Sequence, residues 1–192
     1  MWAKAGVVSK IEYLPEPKGE AMIWSQPNAM NRYHELRMDG ALYATLRWNK
    51  MYGSLATAEC HAGRFTFKRT GFLRPSITVR REDSDNNLAT MQFQGSAMIN
   101  TLASVKGIVE FDSGDVLTFK KTGLRKPRWA FYNRSGTPVV EFHKIRAGKP
   151  RVQVILDDDH RRISYVHILL VLGWYAIVLD YEEAEGVVGL IG

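Results

Sequence analysis

A long uncharged segment near the end of the sequence most constrains the fold. Residues 163–179 form a run of seventeen residues without a formal charge, counting His167 as neutral, and Asp180 closes the run. A helix built from this run is apolar on every side, so it must be surrounded either by lipid or by protein. Such a helix is about 26 Å long, somewhat shorter than the roughly 30 Å hydrocarbon core of a bilayer.

Polar atoms within this segment favour a protein environment. Ser164, His167, Trp174 and Tyr175 carry groups that need hydrogen-bond partners, which a protein interior supplies and hydrocarbon does not. We therefore predict a central helix over residues 161–180 that is buried in protein, with a membrane-inserted helix as the alternative. His167 is interpreted as a neutral core histidine bonded to a backbone carbonyl, with proton sensing as the other reading.

The region from residue 41 to residue 156 alternates apolar and polar residues with a period of two, which is typical of strands with one buried face. Turn sequences rich in Gly, Asp, Asn and Ser separate these runs, so we expect antiparallel hairpins. The first run assigns Leu42, Ala44, Leu46 and Trp48 to the buried face and Tyr43 to the opposite face. The inward pairs of the other runs are Phe65/Phe67, Ile77/Val79, Met91/Phe93, Val109/Phe111, Leu117/Phe119, Trp129/Phe131, Val140/Phe142 and Val152/Val154, with Met22/Trp24 indicating one more strand near the N-terminus.

These strands and the helix predict one mainly β domain over residues 1–192. So many one-sided strands need a common interior, and closure into a barrel removes exposed edges. About eight strands already enclose an interior that their own side chains fill, so a wider barrel needs a filler. We predict a closed antiparallel β-barrel around the C-terminal helix. The assigned segments are 1–20 (irregular entry), 41–156 (strand meander), 161–180 (central helix) and 186–192 (tail or last strand).

An internal repeat lies within the meander, at an offset of 52 residues. Residues 65–75 read FTFKRTGFLRP and residues 117–127 read LTFKKTGLRKP. The repeated unit is interpreted as a strand, a turn that Gly permits, and a second strand started by Pro, because Pro cannot donate to a ladder.

Basic residues are concentrated in these repeat units. The chain has 26 Lys and Arg against 20 Asp and Glu, a formal net charge of +6, which favours anionic partners. By alternation Lys68, Arg80 and Lys120 point outward, and if the two repeats are neighbours their basic residues form one positive surface suited to phosphates. The residues assigned to lipid or phosphate binding are Lys68, Arg69, Arg74, Arg80, Lys120, Lys121, Arg125 and Lys126.

The helix and the first repeat unit resemble the tubby-like superfamily, which includes tubby C-terminal domains, plant LURP-one-related proteins and phospholipid scramblases. The likeness rests on LGWYAIVLDY at residues 172–181 and GRFTFKRTGFLRP at residues 63–75, and it covers roughly residues 21–185. The resemblance implies a barrel of about twelve strands around the helix and, as in tubby itself, binding of phosphoinositide headgroups by basic residues. The acidic residues 157–159 do not reproduce the spaced calcium motif of the scramblases, so calcium binding is not expected.

No arrangement of residues typical of an active site is present in the sequence. Cys60 is the single cysteine, the five histidines lack metal-ligand spacing, and the phosphate-loop, nucleophile-elbow and dinucleotide-binding motifs are absent. We therefore expect a non-enzymatic protein without catalytic residues, metal or cofactor. The N-terminal residues lack the apolar stretch of a secretory signal, so we expect a cytoplasmic protein, with membrane association left open.

The charge pattern favours one function over two alternatives. The first hypothesis is binding of anionic phospholipid headgroups or a phosphate-bearing membrane surface. The alternatives are a protein-interaction, adaptor or structural module, and a scramblase-like membrane protein with residues 163–179 inserted in the bilayer. Nucleic acid is disfavoured because exposed aromatic residues for base stacking are not evident. A monomer is expected.

Overall fold

A computed structural model of the chain contains twelve strands and one helix. It describes residues 22–28, 30–50, 53–71, 74–94, 106–123, 126–145, 151–156 and 163–191, with the backbone alone for Lys106 and residues 183–191. The predicted entry segment 1–20 and the acidic residues 157–159 lie outside this part of the chain. The elements are β1 (Met22–Ser25), β2 (Tyr33–Met38), β3 (Ala41–Trp48), β4 (Ala56–Cys60), β5 (Gly63–Thr70), β6 (Ser76–Arg81), β7 (Asn87–Phe93), β8 (Lys106–Phe111), β9 (Val116–Thr122), β10 (Arg128–Tyr132), β11 (Pro138–Lys144), β12 (Arg151–Leu156) and α1 (Val166–Ile191).

The strands form a closed antiparallel barrel in which each strand pairs with its neighbours in sequence. The pairing of β1 with β12, with Met22 opposite Val154, closes the sheet. Closure leaves no strand with an unpaired edge, which is one way in which β proteins avoid edge-to-edge association. The predicted mainly β class and the closed barrel are confirmed.

Ten of the twelve strands follow from the alternating pattern of the sequence. The nine inward sets between residues 41 and 156 correspond to β3 and to β5 through β12, and Met22 with Trp24 corresponds to β1. The two strands that the pattern missed are β2 and β4. The inward face of β4 consists of Ala56, Ala58 and Cys60, which are too small to give a strong apolar signal.

Irregular pairing changes the face of some residues. Leu36 of β2 pairs with Ala44, but Arg37 pairs with Leu42, so Tyr43 is an extra residue in β3. Tyr43 is 7 % exposed, and its assignment to the outer face was therefore wrong. Leu42 pairs with the exposed Arg37 and is only half-buried, so its assignment to the buried face was also wrong. A β-bulge of this kind shifts the alternation by one residue.

The apolar part of α1, residues 166–179, lies inside the barrel. The apolar side chains of residues 169–178 are at most 4 % exposed. Strands from different sides of the barrel contact it: Trp24 Nε1 of β1 donates a hydrogen bond to the Leu170 carbonyl at 3.1 Å, and the Phe67 ring of β5 lies 5.8 Å from the Tyr175 ring. Burial of the apolar segment in protein is confirmed.

The bounds of α1 differ from the predicted 161–180. The helix begins at Val166 and continues to Ile191, so the last strand expected within residues 186–192 does not form over residues 186–191. Asp180 ends the apolar run but does not end the helix, because Glu and Ala are good helix formers and the chain from residue 182 to 185 consists of them.

The up-and-down topology gives the barrel two distinct ends. The ring of Tyr165, just before α1, lies 4.1 Å from Phe111 at the end that contains the connections after even-numbered strands, and we call this the helix-entry end. Asp180 contacts Lys121 at the end that contains the connections after odd-numbered strands, and we call this the helix-exit end.

The internal repeat forms two similar hairpins, β5–β6 and β9–β10, that turn at the helix-exit end. Gly71 and Gly123 have φ values of 80° and 78°. A Cβ atom would approach the Arg74 carbonyl oxygen to 2.6 Å at Gly71 and the Lys126 carbonyl oxygen to 2.8 Å at Gly123. Both the left-handed conformation and the close approach therefore require glycine, as the repeat predicts.

Candidate anion-binding end of the barrel

Charged side chains are distributed unequally between the two ends. We assign to each end the connections found there and the three nearest residues of each strand. Among the described side chains of the barrel, the helix-exit end has twelve Lys and Arg and one acidic residue, Glu35. Glu35 pairs with Arg37 at 2.7 Å. Helix α1 adds Asp180 and Glu182 there. By the same count the helix-entry end has five Lys and Arg and eight acids. The twelve basic residues are Arg32, Arg47, Lys50, Lys68, Arg69, Arg74, Lys120, Lys121, Lys126, Arg128, Lys144 and Arg151.

Exposed apolar side chains accompany this positive charge. Of the four large hydrophobic residues that are exposed among those described, three lie at the helix-exit end: Met30 (79 %), Leu55 (40 %) and Ile145 (45 %). The fourth, Ile155, is the next-to-last residue of β12 and lies at the helix-entry end. A surface that combines cations with protruding apolar groups can contact both the headgroups and the upper acyl region of a membrane.

Most of the residues predicted from the repeat lie at the helix-exit end. Lys68, Arg74, Lys120 and Lys126 are exposed, and Arg69 and Lys121 are half-buried. Lys68 of β5 and Lys120 of β9 point outward, as the alternation predicts. Arg125 lies outside the described residues.

The two repeat hairpins are not neighbours. Strands β6, β7 and β8 separate β5 from β9, which is four steps around a barrel of twelve, or a third of the circumference. Lys68 and Lys120 therefore project from different sides of the wall, and the expected single surface on the wall does not form. The turns of the two hairpins nevertheless share the helix-exit end.

Two of the predicted residues have other partners. Arg80 lies near the helix-entry end, where its Nε donates a hydrogen bond to Asn87 Oδ1 at 2.7 Å. The Lys121 ammonium pairs with Asp180 at 2.7 Å and lies 5.6 Å from the Trp129 ring centroid. Lys121 thus holds α1 in place, a role that its position in a basic run does not reveal.

Further contacts attach α1 to the barrel at the helix-exit end. Arg32 pairs with Glu182 at 2.6 Å. The Tyr175 hydroxyl donates to the Ser54 carbonyl and accepts a hydrogen bond from the Arg69 N–H at 3.1 Å. The Lys144 ammonium lies 5.0 Å from the Tyr181 ring centroid. Burial, and then the charge of Asp180, raises the pKa of Tyr181 to about 12.

A cleft at the same end lies beside this attachment. It has a volume of about 360 Å³ and is formed by the ends of β2 and β3 and their connections. Its lining includes the basic residues Arg32, Arg47 and Lys50 and no acidic residue. The remaining lining residues are Met30, Asn31, Tyr33, Trp48 and Asn49.

The sequence reasoning missed these three basic residues. Arg32, Arg47 and Lys50 lie outside the repeat units. Arg32 lies just before β2, a strand that the alternation does not reveal, and Lys50 lies in the β3–β4 connection. Once the chain is arranged as an up-and-down barrel, the connections after β1 and β3 lie beside those after β5 and β9 at one end. An up-and-down arrangement of the predicted strands would therefore have indicated that Arg32, Arg47 and Lys50 share this end.

Titratable groups inside the barrel are held neutral by their surroundings. His34 is 2 % exposed between the rings of Trp48 and Trp174, and burial, with a smaller effect of the Arg32 charge, lowers its pKa to about 4. His167 Nδ1 contacts the Tyr43 hydroxyl at 2.7 Å, so its partner is a side chain and the predicted backbone carbonyl was wrong. Burial, and then the charge of His61, lowers the pKa of His167.

The comparisons and the helix geometry add two findings. Protein-family models, curated proteins and solved structures were compared with the chain, and none of them matches it. Within the described residues, no helix combines the length and the apolar character needed to cross a bilayer.

Proposed function

We propose that the protein binds anionic phospholipid membranes through the helix-exit end of the barrel. The observation that carries the proposal is the concentration of twelve basic side chains and three exposed apolar side chains at one end of the molecule. Each basic residue near an anionic membrane surface contributes about 1 kcal/mol to binding. Insertion of the Met30, Leu55 and Ile145 side chains into the membrane would add burial of apolar surface that a uniformly polar end lacks.

The architecture also supports assignment to the tubby-like superfamily, as a proposal. A closed barrel of twelve strands with one helix through its centre is compatible with that superfamily. The proposed membrane contact differs from the basic patch inferred from the repeat, because it gathers residues from six strands and from several connections at one end and leaves out Arg80.

Vesicle binding tests the proposal. We expect the wild-type protein to cosediment with phosphatidylcholine vesicles that contain phosphatidylserine, and to do so much less with pure phosphatidylcholine. The combined substitutions Lys68→Glu, Arg74→Glu and Lys126→Glu should weaken binding by about 3 kcal/mol or more, roughly a hundredfold. Added salt should weaken wild-type binding, because it screens exposed charges.

A matched pair of single substitutions separates position from net charge. Lys126→Glu and Arg134→Glu both reverse one exposed charge in a hairpin connection, the first at the helix-exit end and the second at the helix-entry end. The proposal requires that Lys126→Glu weakens binding and that Arg134→Glu has little effect. Equal effects of the two, or wild-type binding that ignores the lipid charge, would contradict it, and capture of a specific protein without vesicle binding would favour the adaptor alternative.

A further inference from the structure

The cleft between β2 and β3 has the properties of a binding site for a small anion. Its volume of about 360 Å³ lies at the lower end of the range for small-molecule sites. Arg32, Arg47 and Lys50 give it three positive charges, and none of the lining residues is acidic. Glu182 offsets the charge of Arg32, whereas Arg47 and Lys50 remain as positive charges that a bound anion would attract.

Two of the three cations are available to a ligand. Arg47 and Lys50 are exposed, and their side chains form no hydrogen bond or ion pair with any residue that the structure describes. Asn49 Oδ1 accepts a hydrogen bond from Thr57 Oγ1 at 3.2 Å, which leaves the amide nitrogen of Asn49 as a donor. The cleft therefore offers an arginine fork, an ammonium group and an amide donor, a set that matches the several acceptor oxygens of a phosphate.

The third cation forms a fixed base for the cleft. The Arg32 guanidinium lies over the Trp48 ring at 4.6 Å, donates to the Gly53 carbonyl at 2.8 Å and pairs with Glu182 of α1. Its side chain is 14 % exposed. Because these contacts fix Arg32 before any ligand arrives, its charge contributes to binding without the ordering cost of a mobile side chain.

We infer that this cleft binds a phosphomonoester group, either free in solution or as the headgroup of a lipid at the proposed membrane surface. A dianionic phosphomonoester matches the surplus charge of Arg47 and Lys50, whereas a phosphodiester carries a single negative charge. The lipid form of this inference rests on the proposed function, because it requires the helix-exit end to face a membrane.

The experiment measures amide chemical shifts by NMR while glycerol 3-phosphate is added to the full chain. We expect shifts concentrated at Asn31, Arg47, Lys50 and Asn49. The double substitution Arg47→Ala with Lys50→Ala should weaken glycerol 3-phosphate binding by about tenfold or more. The matched control, Lys68→Ala with Arg128→Ala, removes two positive charges from the same end outside the cleft and should change the affinity by less than about twofold.

Vesicles that contain phosphatidic acid then identify the source of the phosphate. If the cleft substitutions weaken binding to phosphatidic acid vesicles more than the control substitutions do, the ligand is a lipid headgroup. If both double variants bind these vesicles alike while only the cleft variant loses glycerol 3-phosphate, the ligand is a soluble phosphate ester.

The inference is overturned if glycerol 3-phosphate causes no shifts, or if both double variants lose it equally. Phosphatidylserine binding that persists in the cleft variant would then leave the proposed membrane-binding end intact. Conversely, the protein could bind glycerol 3-phosphate in the cleft and bind none of the vesicles. That result would support the phosphate site and refute the membrane function.

Discussion

Individual residues inside the barrel show how the aromatic interior controls ionisation. His34 lies between two tryptophan rings, with ring centroids 5.4 Å from Trp48 and 5.5 Å from Trp174. The Trp174 ring stacks in turn on Trp24, with ring centroids 5.7 Å apart. Protonation of His34 would place a charge in this buried environment and close to the Arg32 cation, and the lowered pKa expresses that cost.

We predict that His34 makes the folded protein less stable in mild acid. Its pKa is about 4 in the folded protein against an ordinary value of 6.5, so only the unfolded chain takes up the proton between these values. The free energy of unfolding should therefore fall as the pH drops from about 6.5 to 4, by at most about 3 kcal/mol. Urea unfolding of wild type and His34→Phe across this range tests it. The variant should lose this part of the pH dependence, and parallel curves for the two proteins would contradict the prediction.

Gly173 lies where α1 packs tightly against the barrel wall. A Cβ atom at this position would overlap the Phe142 ring and lie 2.9 Å from the Phe131 ring. Helix propensity alone favours Ala over Gly by about 1 kcal/mol. Overpacking of a core costs about 1 to 3 kcal/mol, so the packing effect should exceed the gain in propensity.

We therefore predict that Gly173→Ala destabilises the protein, with a lower midpoint in chemical unfolding. Phe142→Leu in the same chain should recover part of the loss, because the smaller side chain makes room for the methyl group. A Gly173→Ala variant that is more stable than wild type would contradict the prediction, because it would show that Phe142 and Phe131 shift with little loss of stability.

At the scale of elements, α1 is held by its apolar surface along most of its length and by ion pairs where it leaves the barrel. The Lys121–Asp180 pair is mostly shielded from solvent, with side-chain exposures of 26 % and 17 %. The Arg64–Glu82 pair on the outer surface has the same 2.7 Å separation but exposures of 56 % and 41 %. The two pairs thus have equal distances and unequal exposures, and each cation has one further contact: Arg64 lies 4.0 Å from Glu59, and Lys121 lies over the Trp129 ring.

A double-mutant cycle with Lys121→Met and Asp180→Asn should give a coupling energy of about 1 kcal/mol. The corresponding cycle with Arg64→Met and Glu82→Gln should give less than about 0.5 kcal/mol, because exposed pairs are screened. Backbone amides near the C-terminal end of α1 should exchange hydrogen faster in the Lys121 and Asp180 variants, and not in the Arg64 and Glu82 variants. Equal coupling in the two cycles would mean that shielding by the barrel does not strengthen the contact.

The elements of this fold differ in how clearly the sequence reveals them. Large inward side chains, such as Phe65 and Phe67 in β5, make a strand visible as an alternation, whereas the small inward residues of β4 do not. The bulge at Tyr43 could not be foreseen, because it depends on pairing with β2. The end of α1 was misplaced because a change from apolar to charged residues marks the barrel rim and not the end of the helix.

At the scale of the whole molecule, the candidate site depends on topology more than on local composition. The basic run from Arg64 to Arg81 appears as one cluster in the sequence, yet the chain crosses the barrel twice within it. Arg64 and Arg81 therefore lie at the helix-entry end, and Arg69 and Arg74 lie at the helix-exit end. Sequence alone shows that basic residues are concentrated in the repeat units, but it could not predict which cations share a surface.

The charges of the described side chains, separated between the two ends, contribute an electric dipole moment along the barrel axis. In the field of a negatively charged surface, such a dipole experiences a torque that turns the helix-exit end toward the surface before any contact forms. The molecule would then reach the surface already oriented, so fewer collisions would involve the helix-entry end. A protein of equal net charge spread evenly over its surface would be attracted to the same membrane but would arrive in every orientation.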